Sequence, residues 1–171
     1  MSVRERFKVF AVVFAAVANL TLADAVAKEA AAFWLKGRAV VDLVPGFLSL
    51  AYVENRGCAW GMLQGQSWPL GVFGAVALAA VAWKRRAVFS PPGALSLFAE
   101  VLLYAGILGN MIDRFARGFV IDMIDVHIGA HHFPCFNLAD AFISVAAAVI
   151  ILRSLSEGRG RAGRGDSRPD G

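Results

Sequence analysis

The chain has 171 residues, of which 58% are hydrophobic and only 18% charged, with a mean hydropathy of +0.60 and a net charge of +4. Soluble globular domains are nearer half apolar and a quarter charged. The composition therefore excludes a disordered chain, a coiled coil and an ordinary soluble enzyme, and indicates one integral membrane domain.

Val9–Ala23 carries no charge over 15 residues, which predicts a membrane helix near 8–25. Its basic start and the A-x-A sites at Ala23-Asp24-Ala25 and Ala25-Val26-Ala27 also fit a cleaved signal peptide, but the role argued below for Asp24 favours retention. Val40–Glu54 is too short and broken for a span, with Pro45-Gly46 at its centre. The branched and aromatic run Phe47–Val53, followed by the turn signal Asn55-Arg56-Gly57, predicts a small extracytoplasmic β element near 40–63. Gly57–Trp83 is free of charge, and Trp68–Trp83 predicts a second membrane helix near 68–84. Glu100 alone interrupts the uncharged run from Ala87 to Ile112, which predicts a third near 94–112. Ala141–Leu152, uncharged over 12 residues, predicts a fourth near 138–155. The expected fold is an all-α integral membrane domain over 1–156 with a small β element. The Gly- and Arg-rich segment 157–171 has no apolar side chain large enough to bury, so it is expected to be a disordered cytoplasmic tail.

Lys and Arg outside the spans number eleven on the side of both termini and six on the other, which predicts cytoplasmic termini. Eight of the 13 acids then fall on the outer side. Asp24 is expected to end the first span, Asp113 the third, and Asp140 to begin the fourth. A 15-residue helix rises about 22 Å against a bilayer core of about 30 Å, so these carboxylates sit at membrane depth, where ionisable groups mark function. Asn110 lies at i−3 from Asp113 on one helix face, and Asn137 suits the N-cap of the fourth helix.

Two carboxyls placed close together cannot both ionise easily, so one keeps its proton while the other accepts one from water. Asp140 qualifies as one member, favoured as the anion by the helix N-terminus. Its partner is Asp122 or Asp125, and the pattern does not choose between them. His127 and His131 have i, i+4 spacing, but a zinc protease needs H-E-x-x-H and position 128 is Ile. The histidines are therefore read as interfacial or structural, with no metal. Cys58 and Cys135 lie in no nucleophile motif. A proton- or ion-coupled transporter would spread its acids through the bilayer, whereas only Glu100 lies toward the inner half. A non-catalytic assembly factor would tolerate Asn at the paired acids.

Five blocks in this order resemble the lipoprotein signal peptidases (signal peptidase II). They are Asp24-Ala-Val-Ala-Lys28, Asn55-Arg-Gly57-Cys-Ala-Trp60, Gly109-Asn110-Met-Ile-Asp113-Arg114, Val120-Ile-Asp122-Met123 and Phe136-Asn137-Leu-Ala-Asp140. The third and fifth are intact; Ala25, Cys58, Trp60 and Met123 depart from the family pattern. The resemblance implies four transmembrane helices, an extracytoplasmic β cradle and a short interfacial helix near Cys58–Leu63. It implies a monomeric aspartic endopeptidase of the bacterial cytoplasmic (inner) membrane, with no cofactor, no metal and no nucleic-acid partner. Its substrate would be a diacylglyceryl-modified prolipoprotein, cut just before the lipidated cysteine at the outer face. Carried over by position, Asp122 and Asp140 are the catalytic pair. Asp24, Lys28, Asn55, Gly57, Gly109, Asn110, Asp113, Arg114 and Asn137 line or brace the site, with Arg114 expected to brace Asp113 or a neighbouring polar group.

Overall fold

A computed structural model describes residues 2–58 and 62–162, with side chains described as far as 156. The first helix, α1 (Val3–Leu35), opens on a reciprocal cap between Ser2 and Glu5. It runs 33 residues, about 50 Å, and so does not end at Asp24 as the charge pattern suggested. The reason is local: Ala23–Ala32 contains no Gly or Pro, and Asp24 and Lys28 are paired one turn apart. Helix propensity therefore continues unbroken beyond the apolar window.

Four further helices follow: α2 (Ser67–Trp83), α3 (Arg85–Val88), α4 (Ala94–Arg117) and α5 (Leu138–Ala162). Val3–Leu35, Ala94–Arg117 and Leu138–Ser156 are long and apolar enough to cross a membrane, and α2 is a shorter apolar helix of 17 residues. Large apolar side chains point outward, among them Phe7, Phe10, Phe14, Trp68, Phe73, Phe98, Ile151 and Leu155. The helix interfaces are built instead from small residues, with Ala99, Ala105, Ala139 and Ala146 at 1% exposure or less. This is the arrangement expected where lipid solvates the outside and close backbone approach holds the inside. α4 is central and packs on α1, α2 and α5. A Cβ on Gly106 would lie 2.5 Å from the carbonyl oxygen of Ala139, so α4 and α5 can approach only at a glycine.

Gly118, at φ 77°, closes α4 in the left-handed conformation and turns the chain into a sheet. Strands β1 (Val41–Val44), β2 (Leu48–Asn55), β3 (Val120–Ile128) and β4 (His131–His132) lie in that order, all antiparallel. The sequence reading anticipated only β1 and β2. Ile121 and Met123 of β3 pack on Ala31 and Leu35 at the far end of α1. Side chains alternate along a strand, so Asp122 points to the opposite face. The long α1 is thus the support that orients β3.

Residues 59–61 of the expected interfacial helix lie outside the described residues; Met62–Gly65 form a turn. α5 continues to Ala162, and the rest of the expected tail, 163–171, also lies outside them. Glu100, for which the sequence offered no role, is 2% exposed and takes a two-pronged contact from Arg85, with Nη2 to Oε2 at 2.8 Å.

Candidate active site

Two polar clusters share the end of the helices that packs on the sheet. The first surrounds Lys28, which is fully buried. Its ammonium contacts Asp24 Oδ2 at 2.7 Å and Asp113 Oδ2 at 2.9 Å, and donates to Asn110 Oδ1 at 3.0 Å. An ammonium has three donors and no acceptor, which suits a site walled by two carboxylates and an amide oxygen. Asp24 Oδ1 accepts the backbone N–H of Ala139 at 2.9 Å, which ties α1 to the first turn of α5. Gly109 is where this carboxylate fits, because a Cβ there would lie 2.6 Å from Asp24 Oδ2.

The second cluster holds Asp122 and Asp140. Asp122 is 2% exposed and accepts from Asn55 Nδ2 at 2.9 Å and Asn137 Nδ2 at 2.6 Å. Asp140 accepts from Asn110 Nδ2 at 2.7 Å. Asn137 and Asp140 also cap the start of α5 reciprocally. The Asp140 N–H donates to Asn137 Oδ1 at 3.0 Å, and the Asn137 N–H donates to Asp140 Oδ2 at 3.3 Å. This is the Ncap–N3 geometry of a capping box, and it explains the three-residue spacing of that block.

The amide orientations follow from their neighbours. Lys28 can only donate, so Asn110 must present its oxygen to Lys28 and its NH2 to Asp140. Asn137 spends its oxygen on the Asp140 N–H, which leaves its NH2 for Asp122 and Asn110. Burial pushes the Asp122 carboxyl up from the ordinary 3.8 to about 6; the nearby Asp140 adds to the rise, and the bonds from Asn55 and Asn137 oppose it. Both carboxyls line a cavity of about 990 Å³ between the sheet and α5, with Asn55, Arg114, Phe133, Phe136, Ile143 and Val145 among its walls. Its walls are thus polar around the acids and apolar along α5. Cys58 and Cys135 line it too, and burial pushes the Cys135 thiol up to about 11, away from the thiolate a nucleophile needs.

Comparison with known proteins agrees with this picture. A sequence model described as signal peptidase (SPase) II matches residues 16–156. The chain belongs to the signal peptidase II family. It is 34% identical over 146 residues to the lipoprotein signal peptidase of Syntrophotalea carbinolica, covering 83% of this chain and 90% of that relative. It is 36% identical over 138 residues to that of Thermodesulfovibrio yellowstonii, covering 81% and 90%. The lipoprotein signal peptidase of Serratia proteamaculans is 38% identical over 126 residues, 70% of this chain and 74% of that one. Two solved bacterial membrane enzymes share the fold. One has a TM-score of 0.74 at 28% identity, covering 86% of this chain and 90% of its own; the other has 0.70 at 30% identity, covering 85% and 93%. As a signal peptidase II this is a hydrolase of peptide bonds, and its apolar helices make it a multi-pass membrane protein.

Within this member of the family, the structure separates residues that the sequence grouped together. Asp125, the alternative partner for Asp140, lies three residues from Asp122 on the same strand and is instead hydrogen-bonded to His132 Nδ1 at 2.9 Å. Of the two alternatives for Arg114, the structure has the neighbouring polar group and not Asp113. Arg114 donates to the carbonyl of Gly57 at 3.2 Å and lines the cavity. Gly57 also gives its N–H to Asn55 Oδ1 at 3.0 Å, and a Cβ there would lie 2.3 Å from the carbonyl oxygen of Met62. The guanidinium on Asp113 belongs to Arg117, at 2.9 Å, which also reaches Glu29. Sequence reasoning missed Arg117, although its i+4 spacing from Asp113 was a usable signal.

Proposed function

We propose that this chain removes the signal peptide from diacylglyceryl-modified prolipoproteins, cutting just before the lipidated cysteine, with Asp122 and Asp140 activating water. The observation that carries this reading is the meeting of two carboxyls from different elements in one cavity, bridged by Asn137, whose side-chain NH2 donates to Asp122 and whose backbone N–H donates to Asp140. Asp140, at the start of α5, takes the proton of the attacking water. Asp122, raised toward neutrality by burial, holds the proton that polarises the scissile carbonyl and then passes to the leaving amine. Water and two carboxyls suffice for this chemistry.

Asn55, Asn110 and Asn137 hold the two acids at a fixed separation. Asp24, Lys28, Asp113 and Gly109 hold α1, α4 and α5 together beneath them. Arg114 and Gly57 fix the loop after β2 beside the cavity. The apolar wall from Ile143 and Val145 of α5 suits a substrate that arrives within the lipid. In this reading the chain works as a monomer in the bacterial inner membrane, with α1, α2, α4 and α5 as four spans, both termini cytoplasmic and the cavity at the outer face.

The test uses purified protein in detergent, a diacylglyceryl-modified prolipoprotein, and EDTA throughout. Wild type is expected to cleave before the lipidated cysteine, and Asp122→Asn and Asp140→Asn are each expected to lose that activity. Unchanged cleavage in either variant would remove that residue from the pair. No cleavage by folded wild type would overturn the peptidase reading of this substrate.

A further inference from the structure

The β3–β4 hairpin carries a cluster that the peptidase reading does not use. A two-residue turn, with Gly129 at φ 59°, joins Ile128 to His131. In this antiparallel register His127 faces His132, not His131. The i, i+4 spacing weighed in the sequence therefore has no meaning here, because the segment is a strand. The His127 and His132 rings stack with centroids 4.7 Å apart. Asp125 Oδ1 lies 2.9 Å from His132 Nδ1, and Asp125 Oδ2 lies 3.7 Å from His127 Nδ1.

We propose that Asp125, His127 and His132 bind a divalent transition-metal ion of the zinc class at the rim of the cavity. Three observations carry the proposal. The donor atoms of the three side chains all lie within 4.8 Å of one another. Zinc–nitrogen and zinc–oxygen distances of about 2.0–2.1 Å in a tetrahedral site put ligand atoms about 3.3–3.4 Å apart, and the two separations to Asp125 bracket that value. His127 Nδ1 is buried without a hydrogen-bond partner, in a side chain that is 10% exposed, and it faces the same carboxylate. An imidazole nitrogen left without a partner is costly, and a metal ion removes that cost. His132 is 54% exposed and provides the entry path, with water completing the fourth position.

Two imidazoles and one carboxylate select zinc, cobalt, nickel or copper over magnesium and calcium. The ion would clamp β4 to β3. It would also stiffen the chain from His132 to Phe136, which returns along β3 through the Phe133 N–H to Val126 and the Phe136 N–H to Ile124, and which forms one wall of the cavity. The site is separate from the carboxyl pair, and its function is to hold that wall.

The test is a titration of untagged, chelator-stripped protein in detergent with Co2+, followed by its visible absorption bands, and then displacement by Zn2+. One saturable ion per chain is expected, unaffected by millimolar Mg2+. His127→Ala and His132→Ala are each expected to weaken binding by more than about tenfold, while His131→Ala binds as wild type. Zn2+ should raise the unfolding temperature of wild type and of His131→Ala, but not of the other two. Absence of saturable binding in protein that still cleaves its substrate would overturn the site, as would full binding by His127→Ala or loss of binding only in Cys135→Ser. Cleavage in EDTA is a separate measurement, and its failure bears on the catalytic reading alone.

Discussion

Asp24 and Asp122 are almost equally buried, at 1% and 2% exposure, yet the molecule handles their charge in opposite ways. Around Lys28, two carboxylates meet one ammonium, and Arg117 adds a guanidinium to Asp113, so the charges close. Around Asp122 and Asp140 the direct hydrogen-bond donors are amides from Asn55, Asn110 and Asn137 and backbone N–H groups. Amides orient a carboxylate without neutralising it. In the proposed mechanism the first cluster is therefore a brace, and the second keeps a proton in play. Residue type and depth do not separate structural acids from chemical ones; the partner does. Asn110 links the two clusters, with its oxygen on Lys28 and its nitrogen on Asp140.

The comparison breaks first at the amide-held pair. Asp122→Asn and Asp140→Asn each lower turnover of a lipid-modified prolipoprotein by about 10²–10⁴-fold, the usual worth of a positioned proton donor or acceptor. Asp24→Asn, at the cation-held cluster, loses far less turnover in the same assay when compared at equal folded protein. An equal loss in all three would erase the distinction. The converse variant is Lys28→Met. It leaves Asp24 and Asp113 facing each other without their shared cation, and removing one partner of a buried ion pair costs about 3–5 kcal/mol. Thermal unfolding in detergent is the readout. Lys28→Met combined with Asp24→Asn recovers part of the loss, because one of the stranded charges is then gone.

Much of this contrast was legible in the sequence. The charge-free windows located four apolar helices because lipid contact is a compositional property. Asn137 and Asp140 could be placed on a helix start because capping has a fixed spacing. Two features were hidden. α1 continues through Asp24 because its i, i+4 partner Lys28 neutralises it, a fact that a hydropathy window counts as two interruptions. β3 was assigned no element, although Ile124–Ile128 alternates β-branched with polar residues. Its pairing with β2, Val53 opposite Asp122, joins residues far apart in the chain, and no local pattern encodes that register. The same gap left Asp122 and Asp125 undecided as partners for Asp140, since only a strand sends residues three apart to opposite faces.

Acidity sharpens the comparison further. The Asp122 proton is held to about 6 rather than 3.8, so the folded state binds more protons than the unfolded chain between those values. The stabilisation from that proton is fully present below about pH 4 and is lost as the pH rises through about 6. If protonated Asp122 is the active form, kcat/KM falls about tenfold per pH unit above a limb near that value. A kcat/KM profile measured from pH 5 to 8 that stays flat would remove Asp122 as the proton holder.

The smallest effect comes from a third buried acid, at the opposite end of α4. Glu100 takes its one cationic donor from Arg85, which is half exposed, and also meets the Tyr104 hydroxyl. By the logic of the Lys28 cluster it is a brace, tying the start of α3 to α4. Arg85→Met leaves the carboxylate buried without its cationic donor and lowers stability by about 1–3 kcal/mol, with the kcat/KM pH profile unchanged. Because the penalty comes from the stranded charge and not from a lost attraction, Arg85→Met with Glu100→Leu recovers most of it. A shift of the pH profile in Arg85→Met would mean that charge at the start of α4 reaches the carboxyl pair near its other end, and the division between bracing and reacting acids would no longer be local.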